Sequence, residues 1–143
     1  MTRKSIHRIH VEFGDCDPAQ IAFYPNFFRW FDAASRHYFE NCGVAPWREY
    51  EKTHGIIGTP VVETGARYHR PTSYGDDLEV HTWIEEWREK GFVMKHELRR
   101  DGQLLAEGRD VRVFATRHPA DPARIRAVPV PQEIRALCDS DPG

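Results

Sequence analysis

The spacing of apolar residues changes twice along this chain. From Ser5 to Phe13 the residues alternate, with Ile9, Val11 and Phe13 on one side and His10 and Glu12 on the other, which predicts a first strand over residues 5–13. Phe27, Trp30, Phe31, Ala34 and Tyr38 then follow at offsets of three, four, seven and eleven. That is one face of a 3.6-residue helix, predicted over residues 26–42. Gly43 is placed to end it, because glycine enters the left-handed cap without a Cβ clash. Pro46 and the stretch Trp47–His54 suggest a short helical turn over the edge of the core.

Beyond that point the period returns to two. The β-branched, glycine-punctuated run from Gly55 to Val62 opens a strand region that continues, with a break, to Tyr68. Pro71 and the turn Tyr74-Gly75-Asp76-Asp77 close it. Leu78, Val80, Thr82 and Ile84 alternate, as do Phe92, Met94, His96 and Leu98, with a turn over Arg88–Gly91 between them. Asp101-Gly102 signals a hairpin into a last strand over residues 103–116, with Val111, Val113 and Ala115 on one side. Pro119 and Pro122 are expected to open a polar loop, and a short helix from Gln132 to Leu137 to close the chain. Strand, long helix and four strands in a meander, joined by short connections, predict an α+β fold in which an antiparallel sheet curls around one long helix.

Composition narrows the function classes. A length of 143 residues suits one domain over 1–143. A net charge of -2 gives no reason to expect nucleic acid or an acidic membrane as partner. No apolar run approaches the roughly 18 residues of a membrane span, and the basic N-terminus lacks the apolar stretch of a secretion signal. Cys16, Cys42 and Cys138 are odd in number and widely spaced, which fits reduced thiols in the cytoplasm.

The candidate chemistry gathers before the long helix. Asp15 and Asp17 flank Cys16 just upstream of a helix N-terminus, where backbone N–H groups lack partners and the dipole is positive. Such a pair can be turn and cap chemistry, or can supply a carboxylate acting on an acyl carbon as nucleophile or general base. Cys16 is a poor nucleophile candidate, because adjacent carboxylates suppress the thiolate. The eight His residues include no helical His-x-x-x-His pair, so no metal site is expected. No Gly-x-Ser-x-Gly elbow or phosphate loop occurs. Phe23, Tyr24, Phe27, Phe28, Trp30 and Phe31 exceed what one helix face can bury, which suggests that some line an apolar pocket or a subunit contact. Arg67, Arg70, Arg88 and Lys90 stand near strand ends, where they could meet phosphate.

Several blocks together carry a resemblance. Glu12-Phe-Gly-Asp-Cys-Asp17-Pro-Ala, Phe23-Tyr-Pro-Asn-Phe, Arg29-Trp-Phe-Asp-Ala-Ala-Ser-Arg36, Gly58-Thr-Pro-Val, Tyr74-Gly-Asp-Asp and Glu86-Trp-Arg-Glu-Lys90 closely resemble the 4-hydroxybenzoyl-CoA thioesterase family of hotdog-fold enzymes. The match runs from about Ile6 to Leu137. It implies a sheet wrapped around the central helix, paired subunits that share active sites, and assembly as a homodimer or homotetramer. It implies hydrolysis of an acyl-CoA thioester with an aromatic acyl group, without a cofactor. Aliphatic acyl-CoA hydrolysis and acyl-CoA binding without catalysis are the rival readings. Carried over residue by residue, it puts the catalytic carboxylate on Asp17 and the backbone N–H that polarises the thioester carbonyl on Tyr24. It puts Thr59 beside the reacting centre, Asp32 at a ring hydroxyl, and Arg88 and Lys90 at the phosphates of coenzyme A. Two positions depart from the family pattern: Gln20 stands where many relatives carry glycine, and Glu89 interrupts the basic run. On the residues alone, Asp32 could instead pair along the helix with Arg29 or Arg36.

Overall fold

The computed structural model describes residues 2–140. The chain forms strand β1 (Ser5–His10) and helix α1 (Pro25–Asn41), then helix α2 (Trp47–His54) and strands β2 (Ile56–Gly58) and β3 (Val61–Tyr68). Strands β4 (Asp77–Trp87), β5 (Gly91–Arg100), β6 (Gln103–His118) and β7 (Asp121–Val128) follow, and helix α3 (Gln132–Asp139) closes the described chain. Every ladder is antiparallel, as the short connections require. The architecture is α+β: a curled seven-stranded sheet with three helices, of which α1, at 17 residues, is the longest.

Strand β6 is the spine. Along its first part it pairs with β5 on one edge and β3 on the other; further on β7 succeeds β5 and β2 succeeds β3. The expected simple meander is therefore wrong at one step. β3 does not pair with β4. It pairs with β6 from Val61↔Arg112 to Tyr68↔Ala106, and β1 takes the place beside β4. The crossing segment after β3 is tied to the sheet end by the N–H groups of His69 and Arg70, both donating to Leu105 O. Ladder bulges, as between Ile84 and Glu86, bend the sheet.

Helix α1 starts with Pro25 at its first position and ends as expected, with Gly43 at φ +89° donating its N–H to Glu40 O. Its buried face holds Phe27, Trp30, Phe31, Ala34 and Tyr38, together with Phe39. The N-terminal half packs on Val11, Leu78, Val80, Leu98, Leu105 and Ala106, and the C-terminal half on Ile84, Phe92, Met94 and Phe114. Each large side chain so buried contributes roughly 1.5–3 kcal/mol, which is what holds the helix to the sheet.

Two other expectations need correction. The first strand ends at His10, and a 3₁₀ turn over Phe13–Asp15 leaves Phe13 75% exposed rather than in phase with the buried Val11. The expected polar loop after Pro119 is instead strand β7. It carries no apolar alternation because most of it is exposed, Ile125 included, so its backbone pairing with β6 left no trace in side-chain pattern.

Candidate active site

Asp15 and Asp17 turn out to have different work. The Asp15 carboxylate accepts the Glu12 N–H at 2.9 Å and lies 4.0 Å from Arg29. Its carbonyl accepts both the Phe23 N–H and Asn26 Nδ2, each at 2.8 Å, which ties the loop to the first turn of α1. Asp15 is the cap-type residue. Asp17 heads a tight hairpin: its N–H donates to Ile21 O, its carbonyl accepts the Gln20 N–H, and Cys16 bridges Ala22. Oδ1 of Asp17 accepts the Ala19 N–H at 2.8 Å, and Oδ2 has no hydrogen-bond partner among the described residues.

Gln20 sits at φ +66°, the left-handed position that closes this three-residue turn. Only glycine takes such a φ freely; another L-residue loses roughly 1–2 kcal/mol there. Gln20 nonetheless holds the left-handed conformation at this position. Five residues past that hairpin tip α1 begins. Pro25 has no N–H, while those of Asn26 and Phe27 fold back onto the carbonyls of Phe23 and Tyr24. The Tyr24 N–H is left without an acceptor among the described residues, at the positive end of the helix. Tyr24, Phe27, Tyr68 and Pro71 line an open groove of ≈ 330 Å³ at this helix start, which takes two of the aromatic residues clustered in the sequence, whereas Trp30 and Phe31 go to the core and Phe23 stays exposed.

Asp32 and Thr59 form a second group, joined by a residue that the sequence did not single out. Arg112 Nη2 donates to Asp32 Oδ1 at 2.9 Å, and its Nη1 to Thr59 O at 2.9 Å. The alternative pairing of Asp32 along the helix does not occur: Arg29 bonds Asn26, and Arg36 bonds Glu40. Behind Arg112 lies a buried chain of polar groups. Asp110 Oδ2 is 3.3 Å from Arg112 Nη2 and 3.0 Å from His96 Nε2, and Thr64 donates to Asp110 Oδ1 at 2.8 Å. Thr82 Oγ1 meets His96 Nδ1 at 2.8 Å, and Phe31 stacks on the imidazole at 5.0 Å.

Burial pushes the His96 pKa below its ordinary value, against the pull of Asp110, so the ring is neutral. With Thr82 donating to Nδ1, its proton sits on Nε2 and is donated to Asp110. Burial alone would raise Asp110, but His96, Arg112 and Thr64 outweigh it and hold the carboxyl low and ionised.

Asp32 lies eight residues beyond Tyr24, about 12 Å along the helix axis. The Asp17–Tyr24 group and the Asp32–Thr59 group share α1 without a direct hydrogen bond between them. Arg88 and Lys90 stand apart at the β4–β5 turn. Arg88 is tied to Glu86 at 3.0 Å, whereas the exposed Lys90 makes no side-chain bond among the described residues. The Glu89 carbonyl accepts the Val130 N–H, so this turn is anchored to the segment leading to α3. Among the described residues no three His, Cys, Asp or Glu side chains are grouped to hold a metal, and the three cysteines are free. No helix among them is long and apolar enough to cross a membrane.

With this geometry in hand, the family model described as a thioesterase-like superfamily matches residues 11–137. The chain belongs to that superfamily. This thioesterase-like protein is 44% identical to the 4-hydroxybenzoyl-CoA thioesterase of Pseudomonas sp. (strain CBS-3), over 96% of its own length and 99% of the relative's. A crystal structure of an Asp-to-Asn mutant of 4-hydroxybenzoyl CoA thioesterase, complexed with 4-hydroxybenzoyl CoA, is 44% identical and superposes with a TM-score of 0.89 over 95% of this chain and 99% of that one. A gentisyl-coenzyme A thioesterase structure is 29% identical, with a TM-score of 0.79 over 95% and 100%.

For this thioesterase-like chain the sequence reading missed Arg112, Asp110 and His96. One signal was available. His96 shares the phase of Phe92, Met94 and Leu98, and a histidine on an apolar face needs a polar partner inside. On β6 the face turned to α1 carries Gly108, Asp110 and Arg112 rather than the valines.

Proposed function

We propose that this protein hydrolyses an aromatic acyl-CoA thioester, of hydroxybenzoyl or benzoyl type, to the free acid and coenzyme A. The observation that carries the reading is one carboxylate oxygen of Asp17, in the short hairpin, and one N–H of Tyr24, at the start of α1 just beyond it, both without hydrogen-bond partners among the described residues. The Tyr24 N–H and the helix dipole stabilise the charge that develops on the carbonyl oxygen. Asp17 then either adds to the thioester carbon, expelling the thiolate and leaving a mixed anhydride for water to cleave, or takes a proton from the water that attacks. Both routes use only groups of the chain and water, and no cofactor enters. The similarity to a 4-hydroxybenzoyl-CoA thioesterase across nearly the full length supports the aromatic substrate.

In the same reading Asp32 accepts a ring hydroxyl, Thr59 borders the acyl group, and Arg88 and Lys90 meet the phosphates of coenzyme A, with Arg88 partly neutralised by Glu86. The described residues form one hotdog domain with α1 as its central helix, and the protein acts in the cytoplasm. A second copy pairs along β3, whose outer edge is unpaired among the described residues and whose Val61, Val62 and Tyr68 are exposed; the product is a homodimer, or a homotetramer of two such pairs. The test is thiol release from 4-hydroxybenzoyl-, benzoyl- and short aliphatic CoA esters by wild type and Asp17→Asn. Wild type should prefer the aromatic esters, and the variant should lose at least about 100-fold in kcat while melting at the wild-type temperature. Near-full turnover by folded Asp17→Asn would end the assignment.

A further inference from the structure

Arg112 is costly to bury, and its partners suggest what it is for. Its side chain is 9% exposed, Nε has no hydrogen-bond partner among the described residues, and its two terminal nitrogens serve three oxygens, on α1, on β6 itself and in the β2–β3 link. A merely structural pair would end at Asp110. Here one cation lies between two carboxylates, with a neutral His96 behind, so the cluster keeps one net negative charge. That surplus falls on Asp32, whose side chain is 74% exposed and whose Oδ2 makes no bond among the described residues. The same guanidinium fixes the Thr59 carbonyl.

We infer that Arg112 is the positioning residue for Asp32, holding one carboxylate oxygen so that the other faces a hydrogen-bond donor on the acyl group, and that it thereby sets selectivity for a hydroxylated ring. This rests on the proposed role of Asp32. A planar guanidinium braced by Asp110 and Thr59 orients the carboxylate before substrate arrives, and so removes an ordering cost that a free side chain would bear on binding. Asp110 fixes the guanidinium in turn, and His96 and Thr64 fix Asp110. A substrate lacking the hydroxyl would leave the anion of Asp32 desolvated with no donor, so discrimination comes from both sides.

The experiment compares kcat/KM for 4-hydroxybenzoyl-CoA with that for benzoyl-CoA in wild type, Asp32→Ala, Arg112→Lys and the double variant. Lysine keeps the charge but cannot fork to several oxygens. Arg112→Lys should lower the hydroxybenzoyl-to-benzoyl ratio about tenfold, and should lower it no further once Asp32 is alanine. Equal losses on both substrates would mean that Arg112 only supports the fold, and the inference fails. If Asp32→Ala leaves the ratio unchanged, the reading of Asp32 fails, and the inference with it. If Asp32→Ala collapses the ratio and folded Arg112→Lys does not, only the inference fails. Should Arg112→Lys not fold, Asp110→Asn makes the same test by removing the anion that orients the guanidinium, with the same two outcomes.

Discussion

Gly108 lies on β6 under the ring of Phe31, and the contact is close enough to give a number. A Cβ at this position would stand 2.7 Å from Cδ2 and 2.8 Å from Cε2 of Phe31. Carbon atoms pack at about 3.5–4.0 Å, so Gly108→Ala forces the ring back by roughly 1 Å. The ring has little room to slide. It also stacks on His96, which is the register partner of Gly108 and is fixed at both nitrogens by Thr82 and Asp110. The remaining escape is to lift α1 from the sheet. Overpacking of this kind costs about 1–3 kcal/mol, and alanine returns about 0.5–1 kcal/mol of backbone entropy relative to glycine. The net loss centres on about 1.2 kcal/mol and is at most about 2.5 kcal/mol, and its central value lowers Tm by roughly 2–5 °C for a chain of this size. Thermal unfolding followed by circular dichroism, with urea midpoints alongside, measures it. A Gly108→Ala protein that melts at or above the wild-type temperature would refute the close approach of helix to sheet. Phe31→Leu relieves the clash, so the double variant should be less destabilised than the sum of the two single variants.

Burial keeps His96 neutral in the folded state, while the unfolded chain takes up a proton near pH 6.5. Its contribution is complete above that pH and drains as the pH falls through the lower folded pKa, at no more than about 1.4 kcal/mol per pH unit. Urea midpoints from pH 7.5 to 5 should fall more steeply for wild type than for His96→Gln, and identical slopes would remove His96 from the account. At the β3 edge, Val62→Asp sets a charge where the second copy is proposed to pair, and sedimentation should find the variant shifted toward monomer; an unchanged sedimentation coefficient would place the contact elsewhere.

What could be read from the chain was local. Residues that meet within a few positions of one another carry their geometry in their spacing. That is why the stripe of α1, the alternation in β4 and β5, the Gly43 stop and the carboxylate-bearing turn before a helix start all follow from the sequence alone. Strand pairing obeys no such rule. β3 pairs with β6 at separations that run from Tyr68↔Ala106 to Val61↔Arg112, and β7 pairs through backbone groups whose side chains face outward, so neither partner appears in a periodic pattern. The same holds for charge. Arg112 and Asp110 read as ordinary strand polar residues until the sheet brings them under α1, beside an Asp32 that is 80 positions away from Arg112. A buried charge is tolerated only with its partners, and those partners are chosen by the tertiary fold.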